Sequence, residues 1–168
     1  MSPIKANGRG AAKKNARAGK RTFASSDAAF TLVEIMVVVV IIGLLAAIGI
    51  PAFLRAKEKS MASRYTNDFR QFDASFQRYA TENGDWPLTA AAGVIPAGMT
   101  GYLPESFTNS SPMGGNYRWI KGSNVILLVN SNATDSVMVL VDTALDDGDL
   151  TTGNFIKLGG LGYVQFVK

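Results

Sequence analysis

Residues 35–54 read Ile35-Met-Val-Val-Val-Val-Ile-Ile-Gly-Leu-Leu-Ala-Ala-Ile-Gly-Ile-Pro-Ala-Phe-Leu54, which is 20 consecutive positions without a charge. At a rise of ~1.5 Å per residue, ~20 residues cross a ~30 Å hydrocarbon core. The run is longer than the roughly 7–15 apolar residues of a secretory signal. The valines favour a strand by local propensity. Lipid, however, demands that backbone groups be satisfied within the segment, so the run predicts a helix.

Downstream the helical period continues with a different surface. Met61, Tyr65, Phe69, Phe72, Phe76 and Tyr79 recur at spacings of 4, 4, 3, 4 and 3, a single apolar stripe. Arg64, Asp68, Arg70, Asp73 and Arg78 occupy the opposite face. Such a stripe must lie on something, and the residues that follow are the source. Asn83-Gly84 supplies a stop, because Gly readily takes the left-handed conformation that ends helices, and Pro87 prevents resumption. The expected helix covers residues 30–83. Residues 84–115 read as a loop rich in Gly, Pro, Ser and Thr, with a helical turn near Thr89–Ala92. Three short β-branched or aromatic segments follow, Asn116–Lys121, Asn124–Asn130 and Ser136–Thr143, and read as strands. Turn chemistry separates them, and short connections favour antiparallel neighbours. Phe155–Lys168 reads as a further strand or as a hairpin around Gly159-Gly160. The expected class is α+β: one long N-terminal helix, apolar then amphipathic, packed on a small antiparallel sheet.

Upstream lies a basic segment. Residues 1–29 hold seven of the 17 cations and one acid, Asp27, for a net charge of +6, while residues 30–168 hold 10 cations and 12 acids, for a net charge of −2. Residues 1–29 show no sustained apolar period and cannot bury enough surface to offset ordering entropy, so they read as a disordered or removable leader. Seven cations before the apolar run outweigh Arg55, Lys57, Lys59 and Arg64 after it, which orients the N-terminus to the cytoplasm. The division is then 1–29 as leader, 30–54 as spanning helix and 55–168 as an extracytoplasmic head. The chain has no Cys and no His, which excludes disulfides, thiol nucleophiles and the commonest general base and metal ligand.

Residues 28–51, Ala28-Ala-Phe-Thr-Leu-Val-Glu-Ile-Met-Val-Val-Val-Val-Ile-Ile-Gly-Leu-Leu-Ala-Ala-Ile-Gly-Ile-Pro51, closely resemble the N-terminus of type IV pilins and type II secretion pseudopilins. The shared features are a basic leader, a small residue followed by Phe30, Thr-Leu-Val-Glu34, an uncharged span and a Pro at its far end. The resemblance implies a pilin-like fold. It also implies cleavage between Ala29 and Phe30 by a prepilin peptidase, followed by methylation of the new Phe30 amine. Ala29 stands where the family usually has Gly. The resemblance further implies that Glu34 pairs with the N-terminal amine of a neighbouring subunit and sets the register of a helical filament. An unpaired carboxylate at a bilayer centre costs roughly 2.5–3.5 kcal/mol and less near the end of a span, so a partner is expected. Gly43, Gly49 and Pro51 are expected to interrupt the helix, either as an ordinary membrane kink or as a segment that loosens on leaving the bilayer.

Asp146, Asp147 and Asp149, with Thr151 and Thr152, offer oxygen ligands on a Gly-rich loop. Some pseudopilins hold calcium in a loop near the C-terminus. The spacing does not follow the twelve-residue calcium loop, and a solvated turn explains the same residues. No cofactor is otherwise expected. The basic leader has little aromatic interleaving and suits anionic lipid, so no nucleic acid is expected. Asn109-Ser-Ser and Asn132-Ala-Thr match glycosylation triplets, which occur easily by chance.

These features point to a structural subunit and not an enzyme. It is held in the bacterial inner membrane with its head periplasmic, then polymerised into a type II secretion filament in the periplasm or at the surface. The partners so implied are other copies, prepilin peptidase, an inner-membrane assembly platform, minor pilins or pseudopilins, and membrane lipid. A type IV pilus subunit for adhesion or motility is the alternative. The absent Cys pair of many pilins leans toward the secretion use. A rival of another class is a signal-anchored binding module or hydrolase that never polymerises. Intact-mass and N-terminal peptide measurement of the mature protein is expected to find N-methylated Phe30 as the first residue. An intact leader, or a cut near Ala47, would overturn the family reading.

Overall fold

The computed structural model describes residues 30–168. The leader 1–29, and with it Ala29, lies outside the described residues. The chain divides after Ile41 into two compact units. Residues 30–41 contribute the start of helix α1, which runs Leu32–Asn83 for 52 residues. Among the described residues it is the one helix long and apolar enough to cross a membrane. The helix continues through Gly43, Gly49 and Pro51, as one helix over residues 30–83 requires. Pro51 removes a single backbone donor, and flanking turns that stay helical absorb that loss. The side chains of residues 30–54 are exposed apart from Ala46, which is partly covered.

The second unit builds a sheet against the aromatic stripe of α1. Strands β1 (Asn116–Ile120), β2 (Val125–Val129), β3 (Phe155–Leu158) and β4 (Gly162–Phe166) form an antiparallel sheet in the order β1-β2-β4-β3. The expected hairpin at Gly159-Gly160 joins β3 to β4. Tyr65, Phe69, Phe72 and Phe76 are fully buried, and Met61 and Tyr79 line the margin. Phe69 meets Tyr117 and Phe155 edge-on, Phe72 meets Phe107 and Tyr117 the same way, and Phe76 stacks on Trp119 with ring centroids 3.9 Å apart. Each such pair contributes about 0.5–1.5 kcal/mol beyond its buried area. The polar tips are satisfied: Trp119 Nε1 donates to the Pro87 carbonyl at 2.9 Å, Tyr117 Oη to Asp68 at 2.9 Å, and Tyr65 Oη accepts from the Met113 amide at 3.0 Å. The bonds to Pro87 and Met113 also tie the long loop 84–115 down over the core.

Two local expectations change. Ser136–Thr143 is not a strand but the body of helix α2, Asp135–Leu145. A strand would bury Val137, Val139 and Val141 alike, whereas the chain buries Val137, Met138 and Val141 and leaves Val139 38% exposed. That is a helical face, started at Thr134 with an acid, Asp135, in its first turn. The β-branched propensity of the run is overridden by packing into the core shared with the α1 stripe and the sheet. Residues 89–92 form no helical turn. The Ala90 and Gly93 amides instead donate to the Trp119 and Tyr117 carbonyls, covering the free edge of β1.

Replacing Phe69 by Ala is expected to cost about 3–5 kcal/mol, read by denaturant unfolding of the detergent-solubilised chain. Exposed Gln71→Ala is expected to stay within about 0.5 kcal/mol.

Candidate functional site

Two places on the chain carry unusual chemistry. The first is the start of α1. Thr31 precedes the helix, and its Oγ1 accepts from the Glu34 amide at 3.2 Å. Thr31-Leu-Val-Glu34 thus has the Thr-x-x-Glu form of a capping box, a signal present in the sequence but not drawn from it. The cap places Glu34 in the first turn, where a carboxylate favours the helix dipole. Phe30 is 74% exposed, and Glu34 is the only charge in residues 30–54. A cap thereby presents a single acid within a wholly apolar, uncovered surface. Gly43 and Gly49 face open space, with no atom within 4 Å of the position a Cβ would take. They leave shallow notches on that surface.

The second place is the end of α2. The helix carries Asp142 in its last turn and ends at Asp146, whose backbone is no longer helical. Carboxylate oxygens of Asp142, Asp146 and Asp147 lie within 4.8 Å of one another. Asp142 is fully buried, and neither of its oxygens has a hydrogen-bond partner. Burial above all, then the charges of Asp147 and Asp146, push its carboxyl up to about 6. The neighbours are better held. Asp146 accepts from the Asn154 amide, and Asp147 accepts from the Asp149 amide at 2.9 Å and Thr152 Oγ1 at 2.8 Å. Gly153 has φ +79°, and a Cβ there would run into the Asp146 carboxylate, so only Gly fits this close approach.

The expected trio is thereby revised. Asp149 turns aside: its carboxylate accepts from the Thr151 amide at 3.0 Å and Thr151 Oγ1 at 2.7 Å, bonds that hold it below the usual carboxylate range. Asp142 takes its place. Reading 136–143 as a strand hid it, because a strand rising ~3.3 Å per residue would hold residues 142 and 146 ~13 Å apart, whereas a helix sets them one turn apart at ~6 Å. Clustered hard oxygen donors with an unpartnered buried carboxylate suit a divalent cation such as Ca²⁺, which binds oxygens at ~2.3–2.6 Å. Two donors on one such ion are at most ~5 Å apart, and this cluster meets that spacing.

Comparisons with known proteins bear on the first place more than the second. Residues 24–50 match the family described as the prokaryotic N-terminal methylation motif. The chain is 29% identical over 142 residues to type II secretion system core protein G of Escherichia coli K12, covering 79% of this chain and 90% of that one. It is 32% identical over 89 residues to the core protein G of Klebsiella pneumoniae, covering 53% and 62%. It is 38% identical over 82 residues to the fimbrial protein EcpC of Eikenella corrodens, covering 49% of this chain and about half, 54%, of that one. No solved structure matches the chain.

The Asp142 geometry predicts a pH response in chelator. The folded state holds a proton up to about pH 6 that the unfolded chain releases near its ordinary value of 3.8. The contribution of Asp142 to stability is full below the unfolded value of 3.8 and is lost as the pH rises through the folded value of about 6, so Asp142 destabilises the chelated protein at pH 7 relative to pH 5. Asp142→Asn is expected to raise the melting temperature in chelator at pH 7 and to remove this part of the pH dependence.

Proposed function

We propose that this chain is a pilin-type structural subunit that works as a filament building block and not as a catalyst. The observation that carries the reading is the long exposed apolar surface of residues 30–54 with Glu34 as its only charge, under a methylation-motif match over residues 24–50. A prepilin peptidase releases the leader between Ala29 and Phe30 and methylates the new amine. The helix then waits in the inner membrane, head on the periplasmic side, where lipid covers its apolar surface. An assembly platform and minor pilins or pseudopilins draw it out, and other copies replace lipid around that surface. The Glu34 carboxylate then meets a neighbour's Phe30 amine, which fixes the axial step, and Gly43 and Pro51 allow close approach and local adjustment. A contact of this head-to-tail kind does not close on itself and so extends as a fibre.

Within this reading we favour the core pseudopilin of a type II secretion system. The similarity to core protein G extends into the head, over 142 residues, while that to the fimbrial protein spans 82. Pilus use for adhesion or motility is the second reading. We further propose that Asp142, Asp146 and Asp147 hold Ca²⁺, which would neutralise the buried carboxylate and fix the loop 146–154 against the end of α2. Calcium at 100 times its dissociation constant would stabilise the head by about 2.7 kcal/mol.

Two measurements test the proposal. Glu34→Ala is expected to leave membrane insertion intact and to abolish filaments seen by electron microscopy. Filaments at parental yield would contradict the pairing, and a parent that never polymerises would favour the anchored-module rival. Calcium is expected to raise the melting temperature of the parent and not of Asp142→Asn. Identical parental melting with calcium and with chelator would remove the metal.

A further inference from the structure

The apolar run ends at Leu54, and the next residues are basic: Arg55, Lys57 and Lys59, all exposed. Their position is unusual, because a cytoplasmic N-terminus is favoured by keeping cations off the other flank. None of the three forms an ion pair among the described residues, where the pairs are Arg78–Glu82, Lys121–Asp85 and Lys157–Asp135. Beside Lys57 the second unit opens a crevice of about 210 Å³ between α1, residue 113 and the start of α2. Leu54, Met61, Met113 and Val137 make its walls, and Lys57 and Glu58 stand at its edge. The crevice therefore begins at the residue where the lipid-compatible surface stops, on whichever side of the bilayer the head lies. It continues the exposed apolar surface of the helix upward, and Leu54 itself is 53% exposed.

We propose that this crevice binds an anionic phospholipid of the bilayer that holds the subunit. The acyl chain lies along Leu54, Met61, Met113 and Val137, and the phosphate is met by Lys57, with Arg55 and Lys59 adding positive potential. Charge complementarity selects this occupant: Lys57 and Glu58 line the crevice itself, Arg55 and Lys59 on the neighbouring surface of the same turn and a half of helix bring residues 55–59 to a net charge of +2, and the walls are apolar. Bound lipid would hold the head at the membrane surface and would have to be left behind when the subunit enters a filament. The inference rests on the membrane reading above.

Photolabelling tests it. The full chain is reconstituted in phosphatidylcholine vesicles doped with phosphatidylglycerol that carries a photoactivatable acyl chain. A parallel sample carries the same label on phosphatidylcholine, and adducts are mapped by peptide mass spectrometry. Labels on residues 35–54 are expected from both lipids. Labels on the Met113 and Val137 peptides are expected about fivefold more from phosphatidylglycerol, the ratio that corresponds to about 1 kcal/mol for one basic side chain at an anionic surface. Lys57→Gln is expected to lose that excess, and Lys57→Arg to keep it. Labels on 35–54 with none on Met113 or Val137, equal yields from the two lipids, or an excess that survives Lys57→Gln would each overturn the proposal. No label on 35–54 from either lipid would overturn the membrane reading itself.

Discussion

The head depends on one constraint: the aromatic stripe on α1 must be covered. Tyr65, Phe69, Phe72 and Phe76 have no exposed surface, and the rings that cover them come from β1, β3 and the loop at Phe107. Nothing nearer in the chain could serve, because the stripe lies on the helix and its neighbours along the helix lie on it too. Sheet order, loop path and the placement of α2 follow as ways of closing over that one face. Residues 30–54 lack any such cover, and that contrast divides the work of a single helix. One part is consumed by the fold, and the other remains for lipid or for other copies.

Electrostatics is handled differently in the two parts. Glu34 is a lone acid on an apolar surface, supported locally by the Thr31 cap and the helix dipole. The acids at the end of α2 are crowded together, and Asp142 is buried without a partner. An uncompensated buried carboxylate opposes folding. Both arrangements are incomplete within one isolated chain, and we propose that each is relieved by a cation: an amine from a neighbour in one case, a divalent ion in the other. The exposed cations after Leu54 are a third unfinished arrangement, for which we propose anionic lipid.

The places where sequence reading failed share a cause. Val137-Met-Val-Leu-Val141 carries strand-forming residues, and with no view of what it packs on, propensity was the only guide. The helix it forms is chosen by the common core, which takes Val137, Met138 and Val141 into the cluster that also holds the α1 stripe. That single difference also concealed Asp142, since a strand would hold it ~13 Å from residue 146.

The sequence by itself determined the long helix, its change of surface near residue 54, the α+β class and the processing motif. These follow from local period, uninterrupted apolar length and a contiguous run of residues, all of which act over a few turns of chain. Tertiary structure alone decided which short apolar segments became strands and which became α2. It also decided the closing of β1's edge by residues 90–93 and the union of Asp142 with Asp146 and Asp147. The reason is physical: those outcomes are set by contacts between segments far apart in the chain, and a half-apolar run of eight residues satisfies either geometry until a partner surface selects one.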